Sequence, residues 1–227
     1  GTYIAEPGNI TINDNSPIKI TLYAPAPTGR IKPVDQTPDI NGKVSFSVDI
    51  DNAENSDALN YQWYEGSNAI TGETNARLST PILPSEADDY YCEVTSDLSE
   101  DGVKAVFKAS DAVPQVSLRI DPISETVLFS TISITVTVTP NVADGSLPSP
   151  KGQIEFYVDD ELRASSELDE NGTAALNGLI LFSGRAYTIY AKYIDDSGYY
   201  IDTNSAYHSY ESGMTAPIEG THYTISH

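Results

Sequence analysis

Few residues of this chain have the types and spacing that do chemistry. The three histidines, His208, His222 and His227, all fall near the C-terminus, far in sequence from the single cysteine, Cys92. Nucleophilic catalysis needs a base beside a serine or thiol, and this distribution does not encode one. The histidines read as solvated residues of a tail, His227 also as a tag remnant. No glycine-rich phosphate loop and no His/Cys metal spacing occurs. Carboxylates are everywhere, so pairs for glycosidic chemistry exist by count alone. Small β modules, however, rarely offer the deep cleft that would tune one of them. The expectation is a chain without catalytic residues and without a cofactor.

Calcium is the ligand that the acidic residues suit best. Asp49-Ile-Asp51-Asn52-Ala-Glu54-Asn55-Ser-Asp57 gathers oxygen donors on one stretch, as a hard cation requires. Asp49, Asp51 and Asp57 are the candidate ligands. It is not an EF-hand loop, since Glu54 stands at the sixth position and Asn60 at the twelfth. Asp159-Asp160-Glu161 and Asp195-Asp196 are lesser candidates. The competing account of each is a polar turn between strands.

The chain holds 15 tyrosines, and Tyr187, Tyr190, Tyr193, Tyr199, Tyr200, Tyr207 and Tyr210 crowd one region. Exposed rings on a flat face would stack on sugars, whereas core and rim packing is the plainer account. Alternation puts Tyr187, Ile189, Ala191 and Tyr193 on one face, with Tyr190 and Lys192 on the other. Asn9-Ile-Thr11 and Asn171-Gly-Thr173 match glycosylation sequons and read as accidental.

The elements that would carry these residues are strands. Apolar residues recur at every second position in Ile18–Leu22, Val44–Ile50, Val103–Phe107, Val116–Ile120, Ile132–Val138, Ile154–Val158 and Tyr187–Tyr193. Each such run buries one face and wets the other, as antiparallel sheets packed face to face require. Turn pairs such as Asn41-Gly42, Glu65-Gly66, Asn171-Gly172 and Ser197-Gly198 separate them. The 227 residues suit two sandwiches of about 100 residues each. The 39% apolar content is enough for packed cores.

A boundary near Asp111–Pro114 divides the chain into 1–112, with an N-terminal extension, and 113–210. The short linker restricts the relative orientation of the two parts. Residues 1–15 read either as an extra leading strand or as the tail of a preceding domain. Residues 211–227 read either as the opening of a further repeat or as an edge strand on the second sandwich. Gly1, with no initiator methionine or signal peptide behind it, reads as the start of a piece of a longer protein.

The charge balance, 12 basic against 33 acidic side chains for a net −21, repels phosphate backbones and anionic headgroups. Nucleic-acid and membrane-surface binding are therefore not expected, and membrane insertion is not expected because no stretch approaches the roughly 18–20 apolar residues of a span. One cysteine rules out a disulfide within the chain.

Two stretches carry family resemblances. Tyr61-Gln-Trp63-Tyr64-Glu-Gly66 precedes Ala69-Ile-Thr-Gly72, Ala76-Arg-Leu78 and Ser85-Glu-Ala-Asp88-Asp-Tyr90-Tyr-Cys92. Over about residues 43–108 this resembles the immunoglobulin-like repeats of bacterial surface proteins and, more distantly, intermediate-type immunoglobulin domains. The resemblance implies that Trp63 is the buried strand C indole. It implies that Tyr90 is a tyrosine-corner residue bonded to backbone across the E–F turn. Val48 would stand where the partner cysteine usually is, leaving Cys92 a buried, unreactive thiol. Asp88 stands where the motif has glycine, and since aspartate tolerates left-handed backbone better than most residues the turn is expected to survive the change.

The second stretch, Gly152-Gln-Ile154-Glu-Phe156-Tyr-Val158-Asp-Asp160, leads to Asn171-Gly-Thr-Ala174 and Tyr187-Thr-Ile189-Tyr-Ala191-Lys-Tyr193. Over about residues 115–207 it is similar to a bacterial immunoglobulin-like repeat family, with Asp160 in place of the turn glycine. Asn171 and Gly172 would both take positive φ in a tight hairpin.

The resemblances imply an all-β chain of two consecutive immunoglobulin-like β-sandwich domains from an extracellular, cell-surface or secreted bacterial protein. Its expected role is that of a non-enzymatic structural or adhesion module. The expected partners are other domains of the same polypeptide, then a host or cell-surface protein or glycan. The alternative is a carbohydrate-binding or accessory segment of a polysaccharide-degrading enzyme, which a row of two or three coplanar exposed rings would favour.

Overall fold

The computed structural model describes residues 25–52, 59–97, 103–142 and 147–213. Ile18–Leu22, Asp57, His222 and His227 lie outside them. Two β-sandwiches follow one another along the chain, each with its own apolar core.

In the first, β1 (Gly29–Pro33) pairs antiparallel with β2 (Phe46–Ile50). Residues 76–82 extend this layer through the bridges Val44–Ile82 and Ser47–Arg77. The facing layer runs β4 (Asn68–Ala69), β3 (Leu59–Glu65), β5 (Tyr90–Ser96), β6 (Ala105–Lys108). Alternation explains the packing: Phe46 and Val48 of β2 are buried while Asp49 is exposed. Ile31, Phe46, Trp63, Leu78, Cys92 and Val94 fill the space between the layers. Fully burying an apolar side chain of this size contributes about 1.5–3 kcal/mol, which makes the two-residue period decisive for the register.

The second sandwich repeats the plan with longer strands. β7 (Gln115–Glu125), β8 (Phe129–Thr139) and β11 (Thr173–Phe182) form one layer in the order β11-β8-β7. β9 (Gly152–Val158), β10 (Glu161–Glu167) and β12 (Arg185–Asp195) form the other, with β13 (Thr203–Asn204) and β14 (His208–Ser212) both on β12. Register makes the two halves equivalent position by position. Trp63 lies opposite Cys92 and Tyr64 opposite Tyr91. Phe156 lies opposite Ala191 and Tyr157 opposite Tyr190.

Two turns differ from the sequence expectation. Asp88 needs no left-handed backbone, because Pro84–Asp89 is a short 3-10 helix. At Asn171-Gly172 only Gly172 has positive φ (71°). There Asp169 Oδ1 accepts from the Asn171 and Thr173 amides, each at 2.9 Å. Asp39 does the same for Asn41 and Lys43, so Asp-Ile-Asn-Gly-Lys and Asp-Glu-Asn-Gly-Thr are one turn used twice. Those amide bonds hold the Asp39 carboxyl below its ordinary pKa. The turn at Asp159-Asp160 carries the strain instead, with φ of 51° and 62°.

Candidate functional site: the junction between the sandwiches

The densest polar cluster lies where the two sandwiches meet end to end. The β12–β13 connection of the second sandwich, 196–202, sits against the β1–β2 connection of the first. Asp195, 6% exposed, closes β12. Its Oδ1 accepts from the Tyr193 hydroxyl at 2.6 Å and the Ser197 hydroxyl at 2.8 Å. Its Oδ2 accepts from the Gly198 amide at 2.7 Å, the Tyr200 amide at 3.3 Å and, across the junction, the Gln36 side-chain amide at 2.7 Å. Gln36 Nε2 also donates to the Asp195 carbonyl at 2.9 Å.

Asp202 is the second connector. One carboxylate oxygen accepts from the Asp195 amide at 2.9 Å, the other from the Thr37 hydroxyl at 2.7 Å. Backbone adds two crossings: the Ile201 amide donates to the Ala112 carbonyl at 3.1 Å, and the Asp202 amide to the Gln36 carbonyl at 3.0 Å. Between them Ile201, fully buried, packs into the core of the first sandwich although it belongs to a loop of the second. Arg30, held by Asp51 through two bonds of 2.8 and 2.7 Å, lies 5.4 Å from the centre of the Tyr199 ring and donates to its hydroxyl. Asn141 Nδ2 reaches the Ser110 carbonyl at 3.2 Å.

This arrangement joins the sandwiches. Every Asp195 lone pair faces a protein donor, so the carboxylate of the Asp195-Asp196 pair is a connector rather than a metal ligand. Burial, then the bond to Asp195, raises the Tyr193 phenol well above its ordinary range. Burial, then the Asp195 charge, pushes Tyr200 up to about 12.

Other residues singled out by the sequence fall elsewhere. Asp49 and Asp51 do not form a common cage: Asp49 pairs with Lys32 at 2.8 Å and Asp51 with Arg30 at 2.7 Å. Among the described residues no group of three or more His, Cys, Asp or Glu side chains gathers in metal-binding geometry. Trp63 is fully buried, its indole N–H donating to the Asn75 carbonyl at 2.9 Å, and Val48 and Cys92 are buried beside it. Burial pushes the Cys92 thiol up to about 12.

Tyr90 is half-buried, and its hydroxyl bonds the Glu65 side chain rather than backbone across the turn. The corner contact belongs instead to Tyr187, whose hydroxyl donates to the Phe182 carbonyl at 3.1 Å across the β11–β12 turn. Loop geometry explains the exchange: Pro84–Asp89 winds into a 3-10 helix in the first sandwich, while β11 and β12 are joined by a two-residue turn in the second.

The outward tyrosines stack in pairs, and Tyr207 tilts against Tyr190 with ring centres 4.7 Å apart. Tyr64 and Tyr91 stack with centroids 4.9 Å apart and planes 4° apart, Tyr157 and Tyr190 at 4.9 Å and 2°. His208 lies on β14.

Sequence reasoning missed Gln36, Thr37, Ile201 and Asp202. Ile201 carried a faint signal, an apolar residue between polar neighbours in a loop. Gln36 and Thr37 carried none.

No protein-family model matches the chain, and no curated protein does. Among solved structures the chain is similar to a biofilm-associated protein BSP domain, at 14% identity and a TM-score of 0.28, covering 85% of this chain and 30% of that one. It is also similar to the FN1–FN3 domains of chicken CNTN1, at 13% identity and a TM-score of 0.27, covering 82% of this chain and 68% of that one. The chain thus spans about a third of the length of the first. At those TM-scores neither likeness bears on function.

Proposed function

We propose that this chain is a non-enzymatic spacer or adhesion module of a bacterial surface or secreted protein. Its two immunoglobulin-like domains, 1–112 and 113–210, would hold other domains of the same polypeptide at a fixed distance and orientation. The observation that carries this reading is the junction. Asp195, Asp202, Gln36, Thr37 and Ile201 tie the two sandwiches with side-chain bonds, backbone bonds and a shared apolar plug. A loosely tethered pair needs none of these, because inter-domain motion is the default when the interface is small and wet. The acidic surface, with a net charge of −21, supports a solvated role away from anionic partners.

Residual dipolar couplings test it directly. One alignment tensor should fit amides of both sandwiches in the wild-type chain. In the double variant Gln36→Ala/Ile201→Ser the two halves should require separate tensors, with each half's own shifts retained. Separate tensors in the wild type would end the spacer reading.

A further inference from the structure

Of the described edge strands longer than two residues, all but β11 carry charge or proline. An open edge invites pairing with another chain, and those residues prevent it. β1 holds Arg30 and Pro33, β7 Arg119 and Pro122, and β10 Glu161 and Glu167. β11 ends the layer β11-β8-β7 and has no neighbour but β8 among the described strands. Its ten residues, Thr-Ala-Ala-Leu-Asn-Gly-Leu-Ile-Leu-Phe, include no charge and no proline. In a chain where 20% of residues are charged, that is the composition of an edge left open.

The ladder fixes which backbone groups face outward. The Ser183 amide donates to the Leu128 carbonyl just beyond the end of β11. Opposed residues of an antiparallel ladder alternate between pairs that exchange bonds and pairs that do not. Phe182 and Ile180, opposite Phe129 and Thr131, therefore turn their N–H and C=O groups away from β8. The Phe182 carbonyl accepts from the Tyr187 hydroxyl at 3.1 Å, whereas both Ile180 groups face the open edge. The side chains are outward too: Ile180 is 64% exposed and Phe182 67%. The Phe182 ring centre lies 5.3 Å from that of Phe129, and exposed Val127 and Leu128 extend the apolar surface. A cleft of about 320 Å³ along Ile180, Leu181 and Phe182 leaves room for an incoming strand.

Charge around this edge favours a second copy of the chain over a partner of either sign. Arg163 pairs with Glu161 and Arg185 with Asp159, so the charged walls of the cleft are neutral as a set. A basic or an acidic segment finds no countercharge on β11, whereas a second β11 brings no like charge to it. Geometry agrees. A two-fold axis through Ile180 sets that residue opposite its own copy, where the two exchange both backbone bonds. The same axis sets Phe182 opposite Gly178, which lies in the β11 bulge. Nothing is within 4 Å of where a Cβ on Gly178 would stand, so the space there accepts a ring.

We propose that the open edge of β11 pairs antiparallel with β11 of a second copy, giving a two-fold dimer centred on Ile180. Sedimentation equilibrium and amide exchange by NMR, both on the full chain, test this. A reversible dimer should form below about 1 mM. Added salt should favour it, by screening the repulsion between two chains of net −21. The Ile180 amide should exchange at least about tenfold more slowly in the dimer than in dilute monomer, while the Leu181 amide, turned toward β8, keeps one rate. Ile180→Pro removes an N–H that β8 does not use, and Ile180→Lys places a charge at an exposed position. Each should leave the chain monomeric, with its thermal midpoint within a few degrees of the wild type. A wild type still monomeric at about 1 mM overturns the proposal. So does a dimer that salt dissolves, or one that a folded variant retains. A dimer whose Ile180 amide stays unprotected overturns it whatever the variants do, including if they fail to fold.

Discussion

The two sandwiches share one strand layout and one register yet pin their layers by different means. In the first, the pin is an indole: Trp63 lies across from Cys92, and its one polar atom is satisfied by the Asn75 carbonyl. In the second, Phe156 and Ala191 occupy those positions, and three phenols replace the indole. Tyr187 donates to the Phe182 carbonyl, Tyr193 to the Lys151 carbonyl at 2.8 Å and Tyr200 to the Pro148 carbonyl. The lesson is that a sandwich lacking a disulfide needs large buried rings whose polar atoms find backbone acceptors. Whether one ring does this or several do is set by the connections available. The first sandwich concentrates the task in one residue, the second distributes it.

This contrast breaks most visibly at Trp63. Trp63→Ala should destabilise the first sandwich by about 3–5 kcal/mol, enough to unfold a marginal domain, by loss of packing plus the cavity left behind. In calorimetry the thermal transition of the second sandwich should keep its midpoint to within a few degrees. A second sandwich that melts together with the first would show that the junction, not the ring, sets the cooperative unit.

The distributed pin sharpens under hydroxyl deletion. Tyr187→Phe leaves the Phe182 carbonyl without its phenol donor and should cost about 1–2 kcal/mol in urea unfolding. Tyr90→Phe removes only a half-exposed contact with Glu65 and should change stability by less than about 0.5 kcal/mol. Equal losses would restore Tyr90 as a corner residue.

Alkali should report on both halves. In the folded chain Cys92 and Tyr200 are each pushed up to about 12, from ordinary values of 9.0 and 10.0. The unfolded chain therefore releases these protons first. The stabilisation is complete below pH 9 and is lost as pH rises from there toward 12. Folded protein should resist a thiol reagent at pH 9, and unfolded protein should react at once. Rapid labelling of the native state would place Cys92 at the surface.

The smallest effect lies in the turn where the second sandwich departs from its motif. Asp160 holds φ at 62°, a region costly for residues with a Cβ. Asp160→Gly should stabilise the second sandwich by up to about 1 kcal/mol, seen as a small rise in its melting midpoint, with the first unchanged.

Sequence alternation made most of the strands legible. Ile132–Val138 and Tyr187–Tyr193 bury every second side chain, and Val44, Phe46 and Val48 are buried in the first sandwich, because period two leaves a half-buried strand no other register. The short β1, Gly-Arg-Ile-Lys-Pro, was not legible, since five residues ending in proline carry too little pattern. The burial of Trp63 was legible through the resemblance of the stretch around Tyr61–Gly66 to immunoglobulin-like repeats, not through local period. The junction could not be foreseen in the same way. Gln36 and Asp195 are 159 residues apart, and neither has a local pattern that marks it for the other. Asp195 looked like half of a cation site, and only its surrounding donors make it a connector. Local period and side-chain size act within a few residues and can be read along a chain, whereas the partner of a polar side chain depends on which surfaces the finished sandwiches bring together.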